Sequence, residues 1–235
     1  MALSLNSICI FIITITSHIL VSTASSGVIY DSSGNKLSKG IPYYVLPLVT
    51  GTGGGLSISR STKDACPLDV TQEPFELNYG VPIIITPIVI DETHVHASYP
   101  ISIEADVSDP CHGSKIWKVS TTGTIPENLS RRSLITHLGV GSPASAQTVS
   151  TGGKWNTQES CFQVVEDDVM PGLVSYQIQY CPFKCSSNSS TSLTCYNVGI
   201  VPNESTGQKF LALTDAIFPV VFASSLTKSV QSSKR

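Results

Sequence analysis

Val81-Pro-Ile-Ile-Ile-Thr-Pro87-Ile-Val89-Ile-Asp91-Glu-Thr-His94-Val-His96-Ala-Ser-Tyr99-Pro100-Ile-Ser-Ile103-Glu-Ala105-Asp-Val107 holds the pattern on which the fold turns. From Ile101 to Val107 apolar and polar residues alternate, as in a strand with one buried face. Val81 to Ile85 is an apolar run too short for an ordinary helix. Prolines bound the segment between these strands, and each biases the residue before it towards extended geometry. Ile88, Val89 and Ile90 have little χ1 freedom because they branch at Cβ. If the flanking Cys66 and Cys111 pair, Thr86–Pro100 is an extended, stiff segment pinned outside a cross-linked body. Such a segment suits recognition by a protease, since a rigid loop loses little entropy on binding. The alternative is that Ile88–Ile90 is a core strand.

The same period-two reading extends outward in both directions. Val28-Ile-Tyr30 runs into a turn at Gly34-Asn35, and Pro42–Pro47, Leu56–Ser59 and Asp69–Gln72 read as strands. Ile116–Val119, Phe162–Val165, Val174–Tyr180, Val198–Ile200, Phe210–Leu213 and Pro219–Phe222 continue the series. Pro126–Ser150 is irregular, with a short helical turn near Arg131–Leu138 or simply a long connection. About a dozen short strands at a spacing of about 8–12 residues indicate an all-β sandwich or barrel. No change of composition marks a linker, so residues 25–235 read as a single domain.

Of the 235 residues 41% are hydrophobic and 13% charged, with net charge −3. That balance gives no basic footprint for nucleic acid. Ile8–Val21 is an apolar run followed by Ser-Thr-Ala-Ser-Ser, which reads as a signal peptide over residues 1–24. The run is shorter than the ~20 residues of a membrane-spanning helix. Seven cysteines less Cys9 leave Cys66, Cys111, Cys161, Cys181, Cys185 and Cys195. An even number behind a signal sequence implies a disulfide framework, with fifteen possible connectivities. Sequons at Asn128, Asn188 and Asn203 fit the same route, to the extracellular space or the vacuole.

Other chemistries lack their contexts. Gly51-Thr-Gly-Gly-Gly55 has neither the Lys-Ser/Thr nor the following helix of a phosphate loop, and reads as a turn. Cys181-x3-Cys185 lacks the second close ligand pair of a zinc site, and His94-x-His96 lacks a third ligand. No Gly-x-Ser-x-Gly elbow accompanies the Ser, His and Asp residues, and no metal or cofactor is expected. Trp117 reads as core packing and Trp155 as surface packing.

Several of these pieces, in this order, resemble the plant Kunitz inhibitors of the soybean-trypsin-inhibitor type, miraculin-like members included. They are Val28-Ile-Tyr-Asp31-Ser-Ser-Gly34-Asn35-Lys-Leu37, Tyr43-Tyr44-Val-Leu46-Pro47, Gly53-Gly-Gly-Leu56 and Cys66-Pro67-Leu68-Asp-Val70-Thr-Gln72. Downstream follow Trp117-Lys-Val119, Tyr176-x4-Cys181-Pro182, Asn197-Val198-Gly199-Ile200, Leu211-Ala-Leu213 and Pro219-Val-Val-Phe222. The resemblance spans residues 28–223 and implies a disulfide-stabilised β-trefoil, a pseudo-threefold barrel of about twelve short strands. It also implies the disulfides Cys66–Cys111 and Cys181–Cys195. Cys161 and Cys185 lie outside that pattern and are expected to pair with each other.

The resemblance further implies an inhibitor rather than an enzyme, with a protease as its partner; a monomer is expected, with no nucleic acid or membrane involved. In the family an exposed loop enters a serine protease like a substrate, and the residue before the scissile bond fills the specificity pocket. Carried over, the loop is Pro87, Ile88, Val89, Ile90 and Asp91, with Val89 or, in an ungapped register, Ile90 as the specificity residue. Neither is a cation, and a trypsin-like pocket ends in a carboxylate that requires one. A small apolar pocket of the elastase type suits Val89. Two further departures from the family are Lys39, where members commonly carry a loop-bracing Asn, and the acidic Asp91-Glu92. Lys184 and Lys209 are alternative reactive residues that would restore a trypsin-type target. The reading of a different class is a non-inhibitory binding or storage protein.

Overall fold

In the computed structural model, residues 27–60, 65–89, 91–108, 110–120, 147–186, 193–203 and 206–225 are described. The expected signal segment, Cys9, Ile90, the 131–138 turn, Asn128 and Asn188 lie outside them. Twelve strands are described: β1 (Pro42–Pro47), β2 (Leu56–Ser59), β3 (Asp69–Gln72), β4 (Ile83–Pro87), β5 (Ile101–Ala105) and β6 (Lys118–Val119). They continue as β7 (Val149–Ser150), β8 (Phe162–Asp167), β9 (Ser175–Tyr180), β10 (Tyr196–Pro202), β11 (Lys209–Leu213) and β12 (Val220–Ser224).

Six strands form a closed ring. Three antiparallel pairs, β12–β1, β4–β5 and β8–β9, are joined by β1–β4, β5–β8 and β9–β12. Each pair contributes one directly opposed couple to the centre: Val45 with Phe222, Ile85 with Ile103, and Val164 with Ile178. All six side chains are buried. The threefold repetition continues in β2–β3, β6–β7 and β10–β11, the antiparallel pairs that cap the ring. Ring and caps together are a β-trefoil.

Closure leaves no open barrel edge, and burial of Trp117, Phe162, Tyr176 and Phe222 inside it is the main stabilising term. Three disulfides add to it: Cys66–Cys111, Cys161–Cys185 and Cys181–Cys195. The glycine run is a packing device. A Cβ on Gly55 would lie 2.1 Å from the Tyr79 carbonyl oxygen, so only glycine lets these two backbones approach.

The structure differs from the sequence reading at two elements. Val149–Ser150 is a strand inside the segment read as irregular, because pairing with Lys118–Val119 and Asp69 supplies an order its own two residues do not signal. Val28–Tyr30 forms only isolated bridges, to His96 and Lys36, rather than a continuous strand.

The buried phenols carry a pH consequence. Burial raises the Tyr176 and Tyr180 hydroxyls above their ordinary value of 10.0, with Glu166 adding to Tyr176 and Glu159 to Tyr180. A hydrogen bond donated by the Tyr30 N–H partly offsets the shift at Tyr176. Unfolded chains release these protons near pH 10 while the folded protein retains them. The stabilisation is therefore complete below that pH and is lost as pH rises through the folded values. Phenolate absorbance followed during alkaline titration should show these two tyrosines ionising above the ordinary phenol value, together with the loss of near-ultraviolet dichroism.

Candidate functional site

The loop between β4 and β5 divides into three parts. Pro87 is buried at the end of β4 and pairs with Ile101. The Ile88 N–H donates to the Pro100 carbonyl at 3.0 Å and closes the base of the loop. Past this point the chain leaves the body, with Ile88 half-buried and Val89 43% exposed. The Glu92 N–H then donates to the Val89 carbonyl at 3.3 Å, so the tip turns back.

The returning limb belongs to the core. Lys39 N–H donates to the Thr93 carbonyl, Val95 N–H to Leu37, Ile29 N–H to Val95, and Ala97 N–H to Gly27, all at 2.8–2.9 Å. Val95 and Ala97 are buried while His94 and His96 are partly exposed, the alternation of a strand. The expectation of one extended segment from Thr86 to Pro100 is corrected accordingly: among its described residues only Ile88, Val89, Asp91 and Glu92 lie outside this pairing. Long-range pairing with residues 27–39 captures the rest, because it buries two apolar side chains and satisfies four amides. Nor is Ile88 part of a core strand, since β4 ends at Pro87.

Charges gather at the tip. Asp91 is exposed, and His96 Nε2 lies 3.3 Å from Glu92 Oε2. The His96 ring also packs against Tyr99 at 5.6 Å between centroids. His94 Nδ1 lies 3.3 Å from the Ser38 hydroxyl. Among the described residues no cluster of three or more metal-ligating side chains forms. At the position of the family's bracing amide, the Lys39 side chain is exposed and the backbone N–H makes the contact.

The structure ties down the alternative reactive residues. Lys184 lies in a short 3-10 turn, Pro182–Cys185, and its ammonium donates to the Ser98 carbonyl and to Gln163 Oε1. Burial lowers its proton affinity below that of an ordinary lysine. Lys209 opens β11, and its ammonium donates to the Thr52 carbonyl. Both ammonium groups are thus engaged by the body of the protein rather than carried on the β4–β5 loop. The sequon residue Asn203 is only 2% exposed; its Oδ1 accepts the Thr206 N–H and its carbonyl the Gly207 N–H. A glycan on its amide would require that turn to rearrange.

Sequence reasoning overlooked two contributors to the site: the ladder of residues 27–39 along the returning limb, and the contact of Lys184 with Ser98. The first left a signal, the Val95–Ala97 alternation. The second left none, since its partners are 86 residues apart.

Known proteins resemble the chain over nearly all of its described length. The Kunitz legume family model, described as trypsin and protease inhibitor, matches residues 29–224. The 21 kDa seed protein of Theobroma cacao is 30% identical over 220 residues, covering 91% of this chain and 90% of the cacao protein. Miraculin of Synsepalum dulcificum is 27% identical over 199 residues, covering 83% and 81%. The Kunitz-type cysteine protease inhibitor PCPI-3 from potato aligns in structure with a TM-score of 0.63 at 22% identity, over 85% of this chain and 98% of that one. This last likeness is one of fold.

Proposed function

For a chain that belongs to the plant Kunitz family of trypsin and protease inhibitors, we propose inhibition of a serine protease through residues 88–92, with Val89 filling the specificity pocket. The carrying observation is that Val89 stands exposed between two limbs that are both anchored in the barrel. Upstream it follows the buried end of β4; downstream the 93–97 limb is laddered to residues 27–39. If the protease cleaves after Val89, the new amine stays beside the acyl carbon, so resealing competes with hydrolysis. Slow turnover with retained binding is the consequence.

Val89 selects the target. In a trypsin pocket the aliphatic side chain would leave a buried carboxylate unpaired, at a cost of about 1–3 kcal/mol or more. A small apolar pocket has no such cost. Three disulfides support a working place outside the cytosol, secreted or vacuolar, and we propose that the protein acts there as a monomer.

One observation favours a second reading. The hydrogen bond from Glu92 to Val89 folds the exit side of the tip, and a protease must replace that bond to read Val89 as a substrate. A binding or storage protein of the same fold has no such requirement.

Inhibition constants against elastase, chymotrypsin, subtilisin, trypsin and a papain-type enzyme discriminate the readings. The proposal expects elastase-type inhibition that weakens about 10–100-fold in Val89→Ala, the range for methyl groups lost from an apolar pocket. Inhibition that Val89→Ala leaves intact moves the site elsewhere on the surface. Absence of inhibition across the panel favours the binding or storage reading.

A further inference from the structure

Lys184 reaches the loop from a distant part of the chain. Its turn is tethered on both sides, by Cys161–Cys185 and by Cys181–Cys195, and its own N–H donates to the Cys181 carbonyl. From there the ammonium meets the carbonyl of Ser98, a non-glycine residue at φ +65°. That left-handed conformation is uncommon outside glycine and persists where its surroundings impose it. Here both ends of the residue are held: the Ser98 N–H donates to the Val164 carbonyl at 2.7 Å, and its carbonyl accepts from Lys184.

A relay of side-chain amides aims the second acceptor. Asn197 Oδ1 accepts from Gln179 Nε2 at 3.0 Å, and Gln179 Oε1 accepts from Gln163 Nε2 at 2.6 Å. The Gln163 amide is thereby turned with its carbonyl oxygen towards Lys184. Gln163 pairs with Gln179 across β8–β9, and Gln179 with Asn197 across β9–β10, so the relay is rooted in the sheet. Two residues beyond Ser98 stands Pro100, whose carbonyl receives the Ile88 N–H at the loop's base.

We infer that Lys184 is a positioning residue of the inhibitory loop, its ammonium clamping the Ser98 carbonyl and so fixing the Pro100–Ile88 closure from which Val89 emerges. The word inhibitory rests on the function proposed above; the clamp itself does not. Lysine suits this place because its stem crosses the surface while its charge strengthens both hydrogen bonds. Its lowered proton affinity accords with an ammonium drawn out of water.

The test separates clamp from inhibition by measuring each in Lys184→Met, which keeps the stem and removes the charge. Lys184→Gln, which restores a neutral donor, is the second variant. Hydrogen–deuterium exchange reads the clamp without any protease. The amides of Ile88 and Ser98 should exchange about tenfold faster in Lys184→Met, the loss of a charged hydrogen bond, and recover in part in Lys184→Gln. The amides of Val95 and Trp117, bonded within the body, should not change. Against the inhibited protease, Lys184→Met should be cleaved faster after Val89 and bind more weakly. Unchanged exchange at Ile88 and Ser98 overturns the inference. A uniform rise that includes Val95 and Trp117 also overturns it, because Lys184 would then support the whole barrel. Local loosening in a protein that inhibits no protease supports the clamp and removes the functional reading instead.

Discussion

Val89→Lys should make the protein a trypsin inhibitor, with affinity for trypsin rising about a hundredfold or more. The expectation follows from the pocket's own chemistry. A buried carboxylate facing an aliphatic residue is an unpaired charge, and restoring its partner is worth about 2–5 kcal/mol at a desolvated interface. Each 1.4 kcal/mol is about tenfold in affinity. Val89 is 43% exposed and flanked by anchored limbs, so the longer side chain meets no packed neighbour and the loop's base should hold. The same substitution should weaken inhibition of an elastase-type enzyme, whose small apolar pocket cannot solvate an ammonium. Trypsin and elastase inhibition constants, measured with native protein and variant, check both directions. A variant that trypsin still ignores places the specificity residue somewhere other than Val89.

Phe222→Ala should cost about 3–5 kcal/mol of stability, the range for removing a fully buried aromatic side chain. Phe222 is 0% exposed on β12, opposite Val45, with the Tyr176 ring 5.8 Å away. Its strand pairs with both β1 and β9, so the resulting cavity lies where the ring closes. Its carbonyl also receives the Ser32 N–H at 2.7 Å, a bond the substitution leaves in place. A loss of this size is a large part of the ~5–15 kcal/mol that holds a domain together. Urea titration should show a lower midpoint at an unchanged slope. Val174→Ala, at a residue 69% exposed, is the control and should stay within about 0.5 kcal/mol of the native protein.

The barrel was legible because its signal is local. Ile101–Ala105, Phe162–Val165 and Ser175–Tyr180 alternate in their own sequence, and such alternation needs no knowledge of the partner strand. Alternation alone does not choose a trefoil over a sandwich; that came from the order of short motifs along the chain. Val149–Ser150 escaped because two residues carry no period. The loop was misjudged for the opposite reason: Val95 and Ala97 alternate with the histidines, but the prolines at the ends suggested one extended segment. What holds the returning limb are backbone bonds to residues 27–39, and backbone amides leave no mark in a sequence.

Lys184 shows the limit most clearly. In the sequence it is a basic residue in a disulfide-closed loop, the description of a trypsin-directed cation. In the fold its ammonium is engaged by Ser98 and Gln163, contacts that depend on how β8 and the 3-10 turn pack against the β4–β5 loop. Asn203 is similar, since a sequon is a local string whereas its 2% exposure is a property of the β10–β11 hairpin.

If a protease reads the protein as a substrate, the bond it attacks is Val89–Ile90. The most direct measurement is mass spectrometry of the native protein after incubation with a stoichiometric amount of an elastase-type protease. Slow appearance of a single nick, with a new N-terminus at Ile90 and with the inhibited complex persisting, is the predicted result. Cleavage only at other bonds, or an inhibited complex in which Val89–Ile90 is never cut while Val89→Ala inhibits equally well, would contradict it.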